Sequence, residues 1–178
     1  MSEFLFVRVS VWLACVGWFA GAFCRLHSTR SATNAVDSST TELRIQSGYA
    51  WSWFLGSILL LVHILASYGI FYDWSHRDAV EATADESLRV TGVRAGWGVY
   101  VNLAFALIWL SYSSARIKQW RSSALIDRSV YLFLAVIVAS ATVLFEEGAV
   151  RFFASLGFAV LAACHIRKSI QSNSESFC

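Results

Sequence analysis

The sequence predicts an all-α integral membrane protein: a bundle of about five transmembrane helices with one short extramembrane surface helix, forming a single polytopic domain over residues 1–178. Three observations carry this prediction. Hydrophobic residues make up 57% of the 178 residues and charged residues 15%, whereas ordinary soluble domains carry about 25% charged residues. A chain this short cannot bury so much apolar surface in a soluble core, so the lipid bilayer is its expected surrounding. Next, Phe54 to Phe71 contains no Asp, Glu, Lys or Arg, and a run of about eighteen such residues is roughly enough to cross a hydrocarbon core as a helix. Finally, Trp51 and Trp53 stand at one end of that run and Tyr72 and Trp74 at the other, where amphipathic rings favour the headgroup layer.

The first apolar segment covers 4–26. Arg8 near its start can snorkel to the interface, and Gly17 with Gly21 forms a GxxxG pair that permits close helix approach. Ala20-Gly21-Ala22 also resembles a signal-peptidase site, and cleavage there would leave four spans. Glu3 beside Arg8, without a basic cluster, argues instead for a retained helix. Residues 28–47 are rich in Ser and Thr and are expected to form a flexible loop. The second span covers 50–72.

Residues 75–92 are polar and predict the surface helix. Ser75 and Asp78 have capping-box spacing, Arg77–Glu81 and Asp85–Arg89 can pair four residues apart, and Gly92 supplies a stop. The third span, 96–113, has Trp97 and Tyr100 at its start, Trp109 and Tyr112 near its end, and Asn102 as its one strongly polar residue at depth. A basic loop with Arg116, Lys118, Arg121 and Arg128 follows. The fourth and fifth spans, 129–145 and 150–166, are separated by Glu146-Glu147-Gly148 and read as a helical hairpin. A re-entrant hairpin is the other route to a four-span count. Ser155, Ala159 and Ala163 form a small-residue packing stripe on the fifth. With no proline in the chain, unbroken helices are the default.

Five crossings place nine basic residues on the side of the first loop, the basic loop and the C-terminal tail, against five on the other. The positive-inside rule then puts the N-terminus outside and the C-terminus in the cytoplasm, in a plasma or inner membrane.

Few residues suggest chemistry. His63 is ionisable at membrane depth, which by default marks a functional site. Its neutral imidazole can ligate haem b iron or a metal ion, or relay protons. Alternatively it hydrogen-bonds a neighbouring helix, through Asn102 or a Ser. His76 lies thirteen residues on, which on a helix rotates it by about 220°; the two rings do not stack on one face as a two-haem pair. His27 and His165 sit at helix ends where the macrodipole accommodates them. The acidic group Asp73, Asp78, Glu81, Asp85 and Glu86, with His76, matches no metal loop and reads as a solvated face. Cys15, Cys24, Cys164 and Cys178 form no C-x-x-C pair. A net charge of +2 without a basic stripe excludes nucleic acid as an expected partner. No phosphate loop, H-E-x-x-H or nucleophile elbow is present, so the sequence makes no positive case for an enzyme. The leading expectation is an accessory or assembly subunit that packs on another membrane protein or on a second copy. The alternatives are a haem b or metal-binding redox module using His63, and a small transporter or channel component with His63 and Asn102 on its path.

Overall fold

A computed structural model describes the backbone of residues 2–31, 39–120, 122–146 and 148–175. Every regular element among them is helical. In chain order these are α1 (Ser2–Ser31), α2 (Ser39–Phe71), α3 (His76–Thr91), α4 (Gly98–Ile117), α5 (Ala124–Ala139), which runs into a π-helical segment (Ser140–Leu144), and α6 (Ala149–Glu175). Five stretches are long and apolar enough to cross a membrane: Glu3–Leu26, Gly48–Phe71, Gly98–Ile117, Ala124–Leu144 and Ala149–Arg167. Each contains most of one predicted span. The fourth begins earlier than Ser129, because Ser123 adopts extended backbone and its hydroxyl accepts the Ile126 N–H at 3.3 Å, capping α5. Around the first loop the helices run further than composition suggests. Residues 28–31 continue α1 and 39–47 belong to α2, while 32–38 lie outside the described residues.

α3 starts and stops on the expected residues. Ser75 is its N-cap and accepts the Asp78 N–H at 3.3 Å. Gly92 takes the left-handed conformation (φ 76°) and returns its N–H to the Leu88 carbonyl at 2.9 Å. Arg77 pairs with Glu81 at 3.1 Å. Arg89 forks onto Glu86, one residue nearer than Asp85, and Arg94 folds back from beyond Gly92 to take Asp85 at 2.9 Å. These pairs are exposed, so each contributes about 1 kcal/mol at most. The inner face of α3 rests on the segment before α4, where Gly96 lies against Val80 and Gly98 against Thr83.

The spans are joined most closely between α1 and α2, which run antiparallel. At Gly17 an added Cβ would stand 3.0 Å from the Gly56 Cα, and Ser52 Oγ donates to the Gly17 carbonyl at 3.2 Å. At Gly21 an added Cβ would collide with the Trp53 indole. Trp53 is fully buried, and its Nε1–H donates to the Trp18 carbonyl at 3.1 Å. Its ring lies parallel to Tyr131 of α5 (interplanar angle 5°) and edge-on to Trp109 of α4 (82°), with Tyr49 and Tyr112 tilted against it. One indole thus touches four helices.

This arrangement predicts that Gly21→Leu destabilises the protein by about 1–3 kcal/mol, the usual range for overpacking. Gly48→Leu, where nothing lies within 4 Å of an added Cβ, should leave the thermal midpoint of the purified protein unchanged. Equal midpoints for both variants would refute the packing role of Gly21.

Candidate functional site

The two ends of the bundle differ. Around Trp53 the helices are closed by aromatic rings. Towards the N-terminus of α1, α4 stands apart from α6 and the π-helical segment, and a cavity of about 1020 Å³ separates them. α1 lines it with Trp12, Cys15 and Phe19, α3 with Thr83, Glu86 and Thr91, α4 with Val101 and Asn102, and the π-helical segment with Ser140, Ala141 and Thr142. His63 reaches it from α2 and Glu146 from the turn before α6.

The π-helical segment is a feature that sequence periodicity misses. Phe145 N–H bonds the Ser140 carbonyl five residues back, at 3.3 Å. The widened turn sets Ser140, Ala141 and Thr142 along the cavity wall. π-segments inside α-helices recur at functional sites. A run of Ala, Thr, Val and Leu carries no marker for one.

His63 is held by the backbone of α1. Its Nδ1 stands 2.9 Å from the Val7 carbonyl. A carbonyl only accepts, so Nδ1 donates, and the neutral ring keeps a lone pair on Nε2. Among the described residues, neither Asn102 nor a Ser side chain bonds the ring. Close approach of α1 and α2 brings a main-chain oxygen within reach instead, and Ser67 Oγ donates to the His63 carbonyl at 2.8 Å. Backbone carbonyls orient ligating histidines in this way. Asn102 is exposed on α4 and lines the same cavity, so the two polar residues singled out at depth share one space. No three His, Cys, Asp or Glu side chains among the described residues are grouped to hold a metal ion.

The remaining histidines stand elsewhere. His76 lies between the hydroxyls of Tyr68 (3.2 Å from Nδ1) and Tyr100 (3.0 Å from Nε2). It follows a tight turn in which Asp73 and Trp74 both have positive φ, 45° and 62°, a conformation that is uncommon for non-glycine residues and strained for bulky ones. Trp74 folds back over Gly69, where an added Cβ would be 3.2 Å from its ring. His165 is exposed on α6, and the side chain of His27 lies outside the described residues. Of the acidic group, Glu81, Asp85 and Glu86 are paired with arginines. The Arg89 hydrogen bonds hold the Glu86 carboxyl below its ordinary pKa.

At the opposite end lies a polar network. Arg25 of α1 donates to the Tyr49 and Tyr112 hydroxyls, each at 3.4 Å, and covers the Tyr131 ring at 4.9 Å. Tyr112 donates to Asp127 at 3.0 Å, Ser122 also donates to Asp127, and Arg116 stands 3.8 Å from it. A signal for this network was available: Arg25, Tyr49, Tyr112 and Asp127 all border spans on one side of a five-crossing chain.

The small residues divide into two groups. Gly17 and Gly21 lie inside the α1–α2 contact. Ser155, Ala159 and Ala163 are exposed and face away from the bundle. α6 turns Ala154 and Leu161 inward, with Gly157 against the Phe19 ring.

Compared with protein-family models, curated proteins and solved structures, the chain matches none.

Tyr112→Phe removes the hydroxyl joining Arg25 to Asp127. It should lower stability by about 0.5–1.5 kcal/mol, the net worth of a lost hydrogen bond whose partners keep other contacts. Unfolding midpoints in detergent check this, and an unchanged midpoint would show that the network carries no stability.

Proposed function

We propose that this chain is a multi-pass integral membrane protein acting as an accessory or assembly subunit, with α6 as the helix that meets a partner membrane protein or a second copy. The carrying observation is the division of α6 into two faces. Gly157 and Leu161 seat it on its own bundle, while Ser155, Ala159 and Ala163 recur every four residues on the opposite, exposed face. In lipid no hydrophobic force drives helices together, so a row of small side chains favours association by letting backbones approach. The basic residues favour a cytoplasmic C-terminus in a plasma or inner membrane. A second reading is supported by the clamp on His63. A ring fixed through Nδ1 and bordering a cavity offers Nε2 to a haem iron, a metal ion or a small ligand. Absorption spectra and metal analysis of the purified protein address it directly.

The subunit reading predicts that Ala159→Phe abolishes cross-linked complexes formed in native membranes. The thermal midpoint of the isolated protein should stay unchanged, since that face packs nothing internal. Complexes that persist in Ala159→Phe and in Ser155→Phe would reject α6 as the contact.

A further inference from the structure

We propose that the cavity between α1, α3, α4 and α6 binds a lipophilic cation, an ammonium or other cationic head carried on an apolar body. This does not depend on the α6 contact. The polar atoms that face the space set the charge of its ligand. Thr83 donates to the Ala79 carbonyl, Thr91 to Ser87, Ser140 to Val136 and Thr142 to Val138, at 2.7–2.8 Å. These four lining hydroxyls have their protons committed to their own helices, so only lone pairs remain for a ligand. His63, with Nδ1–H held by Val7, likewise retains only an acceptor.

Charge points the same way. No Lys or Arg is among the lining residues. Glu86 is compensated by Arg89. Glu146 is not: its side chain makes no ion pair or hydrogen bond among the described residues. The nearby Arg151 is turned onto the Glu146 and Leu144 carbonyls at 2.8 and 3.5 Å. Glu146 also interacts electrostatically with the His63 ring and the Cys15 thiol, so its field reaches into the space. Glu146 borders these largely apolar walls, where a cationic ligand would pair with it. Trp97 and Phe153 add aromatic surface, which attracts cations through the ring quadrupole; the third lining ring, Trp12, already carries the Arg8 guanidinium at 5.5 Å. An anion would meet Glu146, with only neutral donors such as the Asn102 amide among the described lining residues. A neutral chain would leave the carboxylate uncompensated.

The test uses the full chain in discs of zwitterionic lipid, with tetraphenylphosphonium and tetraphenylborate as probes. The two ions have nearly the same shape and apolarity but opposite charge. Equilibrium dialysis against empty discs gives the ion bound per protein. The expected result is saturable one-site binding of the cation, with no saturable binding of the anion. Glu146→Gln should bind the cation about tenfold more weakly or worse, as when one partner of a charge pair is removed. Ala141→Trp, which sets an indole into the space from the π-helical wall, should weaken binding. Thermal midpoints confirm that each variant is folded. Ala159→Phe should bind as the unmodified chain does, which separates this site from the α6 contact. Absence of saturable cation binding to the unmodified protein would overturn the proposal. So would equal binding of both ions, or cation affinity unchanged in a folded Glu146→Gln or Ala141→Trp variant.

Discussion

Burial of Trp53 is the constraint on which the rest of the bundle depends. A fully buried indole requires a partner for its N–H and a flat, close surround. The Trp18 carbonyl supplies the first, and Gly21 supplies room on α1. Tyr131, Trp109, Tyr49 and Tyr112 then close on the ring from three helices. The same contact sets the register of α1 against α2. Once Trp18 faces Trp53, the antiparallel run places Gly17 beside Gly56 and Val7 beside His63. The His63 clamp therefore depends on an interaction ten residues away, about 15 Å along the helix. The packing has a cost: the indole N–H groups of Trp18 and Trp109 are buried without a hydrogen-bond partner.

A bundle locked at one end can remain open at the other. The closed end combines the aromatic cluster with the Arg25–Tyr112–Asp127 network. The open end combines helix separation, a π-helical segment and a strained turn at Asp73–Trp74. Polar groups are costly inside apolar surroundings unless they are paired. Most groups at the open end are: Glu86 by Arg89, His76 by two tyrosines, and four hydroxyls by their own helices. Glu146 and the His63 Nε2 differ because they face shared space. Their placement gives the cavity a chemical polarity that its largely apolar walls do not.

The spans were legible because hydropathy over some twenty residues is a strong signal, and the caps of α3 were legible because Ser75 and Gly92 act locally. Three features were not. Helical backbone at 28–31 and 39–47 defeats composition, since Ser and Thr only weakly disfavour a helix that is already propagating. The Arg89 fork onto Glu86 rests on side-chain geometry that spacing leaves open. The π-helical segment leaves no mark in Ser140–Leu144. For the site, His63 and Asn102 stood out as polar residues in apolar spans, and the structure lines one cavity with both. Glu146 read as part of a tight polar turn, because only the tertiary arrangement shows it on the cavity wall with Arg151 bonded to its main-chain carbonyl.

A bundle closed around Trp53 holds a cavity at its other end, with His63 on the wall. The most direct measurement is labelling by a membrane-impermeant maleimide in native membranes, with the four native cysteines replaced and single cysteines placed at His63, Asn102 or Leu65. Leu65 is exposed and is not among the residues lining this cavity, and it lies about one half-turn of α2 from His63. Labelling is expected at His63 and Asn102 and not at Leu65. Protection of both cavity positions, or equal labelling of all three, would contradict this arrangement.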